Sequence, residues 1–251
     1  MTSTKPEIIQ EIFEAFNSAG LSYVVPRSYR GLPHEVRGGD IDVLITDIQD
    51  ASEICSNKGL SIPSSKMSSR LSILAEKGIK NPYKSISLAR RSPKKVMEIL
   101  NSAIKRESRD FLAPEYQELK PQTEDVTFHL FNHLAHTSPI RASKVRLDPE
   151  VERMMLDDRI KTGAIYRPSP PDELAHLLAR GVFDYGGRFP DYYIQRCESL
   201  TNEVIENEEY KEKFHKLLSL IWFEAGELVF EMCKNKQYDK MKSELDAYSG
   251  Y

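Results

Sequence analysis

The sequence predicts an α/β (α+β) protein in which a small mixed sheet with helices is followed by an all-α C-terminal domain. Three observations carry that expectation. An amphipathic stripe opens the chain, two apolar strand-like runs follow it at 21–26 and 40–46, and from about Leu147 nearly every segment repeats with helical period.

Lys5 to Ser18 places Ile8, Ile9, Ile12, Phe13 and Phe16 at i, i+3, i+4 and i+7 spacing, with Gly20 where a helix-ending glycine is expected. "LSYVVP" (21–26) is short, aromatic and β-branched. "DIDVLIT" (40–46) alternates acid with apolar and then becomes wholly apolar, as a strand does when both faces are covered. Residues 48–58 read as helix, and the Ser-rich stretch 61–72, with Pro63, as loop or sheet edge. Pro93 followed by Val96, Met97, Leu100 and Ile104 predicts a helix over 93–106. "DVTFHLFNHLAH" (125–136) reads as a strand turning into a helix. Beyond it, Asp148 with Pro149 starts one helix, Ser169 caps another, and 190–248 continues in the same period. The break at "SPIRAS" divides the chain into an α/β domain, 1–145, and a helical domain, 146–251.

Composition narrows the function classes. The chain is 251 residues long, 40% hydrophobic and 29% charged, within the range of ordinary globular proteins. No run approaches the roughly 18 to 20 apolar residues that cross a bilayer, and the polar start "MTSTKPEIIQ" lacks a signal-peptide core, so a cytoplasmic protein is expected. Cys55, Cys197 and Cys233 are far apart and show no CxxC spacing, which suggests reduced thiols. A net charge of -3 argues against a whole-protein grip on nucleic acid and leaves a local basic patch open.

The chemistry concentrates at "VRGGDIDVLI" (36–45). On a strand, residues i and i+2 share a face, so Asp40 and Asp42 set two carboxylates roughly 6 to 7 Å apart at the strand's start. Two like charges call for a cation, and Mg²⁺ is typically held by one or two carboxylates together with substrate phosphates. Gly38 and Gly39 remove side-chain bulk beside the pair and permit unusual backbone angles. The preceding turn offers Arg27, Ser28, Arg30 and Gly31, and a guanidinium fork matches phosphate oxygens. The plainer reading is an acidic strand start in solvent, with Asp42 capping a turn.

Taken together, residues 21–45 resemble the minimal nucleotidyltransferase core of the DNA polymerase β superfamily. They are especially similar to uncharacterised nucleotidyltransferase-like proteins with a Tyr- and Arg-containing turn ending in Leu-Pro and a "GGDIDVLI"-like strand. The resemblance implies that Asp40 and Asp42 bind catalytic metal, Mg²⁺ or Mn²⁺, and that Ser28 contacts a phosphate. It implies a third carboxylate on a later strand, for which Asp125, opening "DVTFHL", is the first choice and Glu124 the second. The implied reaction moves a nucleoside monophosphate from an NTP to an acceptor hydroxyl or phosphate, the acceptor being a small sugar-type molecule, with Arg27, Arg30 and Arg37 neutralising the triphosphate. This chain departs from the family at Arg27, which stands where the turn glycine would be.

Further features have other readings. His129, His133 and His136 are spaced H-x3-H-x2-H, which on a helix would put His129 and His133 on one face, as metal ligands, as neighbours of the active site or as core residues. The basic stretch 80–109 offers a surface for RNA or simply a solvated helix face. Asp157, Asp158, Arg159, His176, Arg180 and Asp184 fall at helical spacings, either as buried ion pairs or as the acceptor side of the site. Two alternatives therefore stand beside the enzyme: a nucleotide- or partner-binding protein that does not turn over, and an RNA-directed nucleotidyltransferase.

Overall fold

A computed structural model describes residues 4–37, 39–62, 116–137 and 144–248. The helix expected over 93–106, the basic stretch 80–109, most of the Ser-rich stretch and Gly38 lie outside the described residues.

Helix α1 (Lys5–Ser18) begins at Thr4, whose backbone N–H donates to the Glu7 carboxylate at 2.7 Å and closes the first turn. Its apolar stripe buries Ile9, Ile12, Phe13 and Phe16. Strands β1 (Tyr23–Val24) and β2 (Asp40–Ile45) follow, then α2 (Ile48–Asn57), whose first turn is capped by the Asp47 side chain. Strands β3 (Glu118–Leu119) and β4 (Thr127–Phe131) complete a four-stranded mixed sheet in the order β1-β2-β4-β3. β2 and β4 run parallel, with Asp40 opposite Thr127 and Asp42 opposite His129; the two outer strands are antiparallel to their neighbours.

Alternation along the two central strands decides what each sheet face meets. Ile41, Val43 and Ile45 of β2, with Phe128 and Leu130 of β4, enter one core with α1 and α2. Leu44 and Phe131 point the other way and join a second core built from the C-terminal helices. Asp40, Asp42 and His129 have the parity of this second face.

The chain continues with a strand pair, β5 (Ala135–Thr137) and β6 (Lys144–Arg146), and then α3 (Pro149–Asp157), capped by Asp148. The segment 125–136 therefore does not turn into a helix. The pattern F-x-L-F-x-x-L satisfies either period, but Asn132 interrupts the strand, its side-chain oxygen accepting from the Gln117 N–H at 2.8 Å, and the chain resumes as β5. A short hairpin of β7 (Ile160–Thr162) and β8 (Ile165–Arg167) interrupts the C-terminal region, which is otherwise helical: α4 (Pro170–Ala179), α5 (Asp191–Glu206), α6 (Glu208–Trp222), α7 (Gly226–Lys234) and α8 (Met241–Tyr248). All ten residues of α4 are buried, so it is the helix the others wrap, and it runs on into a π-helical turn, Arg180–Asp184. Among the described residues no helix is long and apolar enough to cross a membrane.

One buried polar group fastens the turn after β1 to the helices. The Tyr29 hydroxyl donates to Glu173 of α4 at 2.6 Å, and Arg196 of α5 clasps the same carboxylate while donating to the Tyr29 oxygen at 3.0 Å. Burial and the neighbouring Glu173 charge push the Tyr29 hydroxyl up to about 12, so it remains a donor.

Candidate functional site

The two carboxylates of β2 have different surroundings. Asp40 is half-buried, with Lys120 Nζ 3.7 Å away. Asp42, two residues deeper, is only 5% exposed and has a cation on each oxygen: Arg27 pairs with Oδ2, and Nδ1 of His129 lies 2.9 Å from Oδ1. Burial alone would raise the Asp42 pKa. The His129 hydrogen bond and the charges of Arg27 and Arg180 outweigh it and hold the carboxyl well below the usual range.

His129 bridges two acids. Its Nε2 lies 3.2 Å from Glu118 Oε2, which also accepts from the Tyr116 hydroxyl at 2.8 Å and from Lys144 Nζ at 3.0 Å. Burial works against a charged imidazole, but the hydrogen bonds to Asp42 and Glu118 overcome it and raise the His129 pKa. With both ring nitrogens donating to carboxylates, the ring is held as the imidazolium.

Asp40, Asp42 and His129 each present a ligand atom, and the three atoms lie within 4.8 Å of one another. The set could hold a divalent ion. Two carboxylate oxygens suit a hard cation and an imidazole suits a transition ion. The donor set thus fits a metal, provided that His129 gives up a proton and that Arg27 or His129 yields an Asp42 oxygen.

The other residues singled out in the sequence are dispersed. Ser28 adopts the left-handed backbone, φ 57°, and heads a 3₁₀ turn, Tyr29–Gly31. Arg30, in that turn, is exposed, and Arg37 pairs with exposed Glu35 at 3.0 Å. Gly39 immediately precedes Asp40 with φ +90°, an angle that L side chains rarely adopt, in open space. Asp125 is exposed in the turn before β4, its N–H bonded to the Thr123 hydroxyl at 3.3 Å, and is outside the Asp40, Asp42 and His129 group. Glu124 is exposed beside it.

The three histidines do not share a helix face. His129 is on β4, while His133, in the turn, lies 3.1 Å from Glu152, which Arg146 also clasps. His136, on β5, lies 2.9 Å from Asp184. Sequence reasoning missed Tyr116, Glu118 and Lys144 altogether, since a loop residue and two residues of separate short strands carry no local pattern.

Tyr116, Lys144 and the three histidines line a cavity of about 250 Å³ on the helical side of the sheet. Asp42, His129, His136, His176, Arg180 and Asp184 are among the residues that line it. Comparison of the chain with family models, with curated proteins and with solved structures finds no match in any of the three.

Proposed function

We propose that the protein is a metal-dependent nucleotidyltransferase-like enzyme that transfers a nucleoside monophosphate from an NTP to a small acceptor. The observation that carries the reading is the meeting of Asp40 and Asp42 with His129 at the start of two parallel central strands, three ligand atoms within 4.8 Å. A divalent ion bound there, Mg²⁺ or Mn²⁺, would supply charge neutralisation for the triphosphate and for the oxygens that attack and leave. The chain's own residues would do the rest. Asp40 and Asp42 hold the ion, Gly39 keeps the approach free of a side chain, and Arg30, exposed in the neighbouring turn, meets the outer phosphates as a bidentate donor.

A second reading has its own support. The ion pair of Arg27 with Asp42, completed by His129 on the other oxygen, already neutralises the inner carboxylate, as a protein of this kind that binds a nucleotide without turning it over would do.

Calorimetric titration with each NTP, with and without Mg²⁺ or Mn²⁺, separates the two. The enzyme predicts that one NTP binds only with metal and that binding disappears in the double variant Asp40→Asn, Asp42→Asn. Binding indifferent to metal and to the double variant supports the silent binder, and no binding of any NTP removes both.

A further inference from the structure

Three side chains that line the cavity carry polar atoms that the fold leaves idle. His136 and His176 are each 4% exposed, and both line the cavity together with Arg180. Nε2 of His136, both ring nitrogens of His176 and Nε of Arg180 are buried with no hydrogen-bond partner among the described residues. Leaving a buried polar atom unpaired costs about 1 to 3 kcal/mol. Four such atoms on three residues that line one cavity are a pattern that needs a cause, because native structures pair nearly all buried polar groups.

The chemistry of these atoms is well defined. Asp184 accepts from the Thr137 N–H at 2.8 Å with one oxygen and faces Nδ1 of His136 at 2.9 Å with the other. A carboxylate fixes the proton on the ring nitrogen that faces it, so Nε2 of His136 is left as an acceptor. Arg180, whose Nη1 stands 3.8 Å from Asp184, can only donate. His176, held neutral by burial, has one N–H and one lone pair. The cavity therefore asks for anionic oxygens opposite Arg180 and His176, and for a hydroxyl that donates to His136. Its volume of about 250 Å³ is a little below the roughly 300 Å³ at which ligand pockets usually begin, so it suits only a small molecule.

We infer that this cavity is the acceptor site, and that the acceptor is a small molecule carrying both an anionic group and a free hydroxyl. Arg180 and His176 hold the anion, and Nε2 of His136 receives the hydroxyl proton's hydrogen bond. The assignment of the ligand as an acceptor rests on the nucleotidyltransferase reading; the existence of a site for a hydroxylated anion does not. Asp42 and His129 line the same cavity, so a molecule seated here lies on the metal side of the sheet.

The test uses the full chain and three probes: glycerol phosphate, glycolate and inorganic phosphate. Nitrogen-15 spectra of the histidine side chains are recorded during each titration, alongside calorimetry. The expected result is saturable binding of glycerol phosphate or glycolate, with shifts at His136 Nε2 and at both His176 nitrogens, and weaker binding of phosphate, which lacks the carbon-borne hydroxyl. Arg180→Gln should weaken the bound probe by about tenfold or more, the loss of a charge-assisted pair. Unmoved His136 and His176 resonances in the wild type overturn the inference without reliance on any variant, and mean that water alone satisfies these atoms. If a probe binds here while no NTP binds, the hydroxylated-anion site stands and the acceptor assignment falls with the enzyme reading. If an NTP binds with metal and no probe reaches these histidines, the enzyme reading stands and this inference falls.

Discussion

His176 should make the protein measurably weaker in mild acid. It sits in the fully buried helix α4, 4% exposed, with the His136 ring 5.6 Å from its own. Burial drives its pKa well below the ordinary value, and the positive charges of Arg180 and Arg27 push the same way, against the negative charge of Asp42. The folded state therefore keeps the ring neutral, while the unfolded chain takes up a proton near pH 6.5. Below that pH the unfolded state binds the extra proton, so stability falls as pH falls, by up to about 1.4 kcal/mol per unit, until the depressed folded pKa is reached. Between pH 7 and 5 the loss from this one group comes to about 2 kcal/mol. His129, with its raised pKa, acts in the opposite sense. The depressed carboxyls of Asp42, Glu118 and Asp184 lose their contribution mostly at lower pH. All of these are present in any His176 variant and cancel in the difference. Urea unfolding followed by the single tryptophan, Trp222, at pH 7 and pH 5 reads the effect. Wild type should lose about 2 kcal/mol more between the two conditions than His176→Gln or His176→Phe. An equal loss in wild type and variants would show that His176 ionises freely in the fold and would refute the reasoning.

Two further outcomes follow from the packing. Glu173→Ala strands Arg196 and Tyr29 in the interior and should destabilise by about 3 to 5 kcal/mol in denaturant titration, whereas Tyr29→Phe, which leaves the ion pair whole, should cost only about 1.5 to 3 kcal/mol. Near-equal losses would mean that the ion pair does not hold α4 and α5 together. At Gly181, in the π-helical turn, an added Cβ would fall 2.1 Å from the Phe189 ring, so Gly181→Ala should lower stability by about 1 to 3 kcal/mol and displace Arg180 and Asp184 on either side; an unchanged unfolding midpoint would contradict that crowding.

The elements that were legible in the sequence are those whose burial is decided locally. α1 and α2 follow from their apolar stripes, and β2 from a run that needs cover on both faces. The segment 125–136 misled because an aromatic and aliphatic run with period-ambiguous spacing fits a helix as well as a strand. What settles it is long-range: the register of β4 on β2 and the Asn132 contact with Gln117. His129 had a recoverable signal, since in "DVTFHLF" it shares the parity of Thr127 and Phe131, opposite to the core residues Phe128 and Leu130. That it faces Asp42 still requires the pairing across the long stretch between the two strands. Glu118, Lys144 and Arg180 reach the site from a two-residue strand, a strand of the β5–β6 pair and a π-helical turn, and no local pattern connects them.

The same distinction governs how the paired acids should be understood. A sequence shows two carboxylates two residues apart and makes their mutual repulsion the problem, with a cation as its solution. In the fold the outer acid is partly solvated near Lys120, and the inner one is neutralised from both sides by Arg27 and His129. The repulsion is thus already relieved by the chain itself, and a divalent ion gains its place only by competition. Such an ion carries two positive charges into a group in which an imidazolium, a guanidinium and the ammonium groups of Lys120 and Lys144 already face three carboxylates, Asp40, Asp42 and Glu118, and deprotonation of His129 offsets one of them. The competition is strongest at the inner acid, because Asp42 is buried and Asp40, Arg27 and His129 are half-buried, where interactions between charges are less screened than at the surface. Whether the site works as a metal centre or as a structural ion network is therefore decided at Asp42, by the relative hold of a cation and of Arg27 on one oxygen atom.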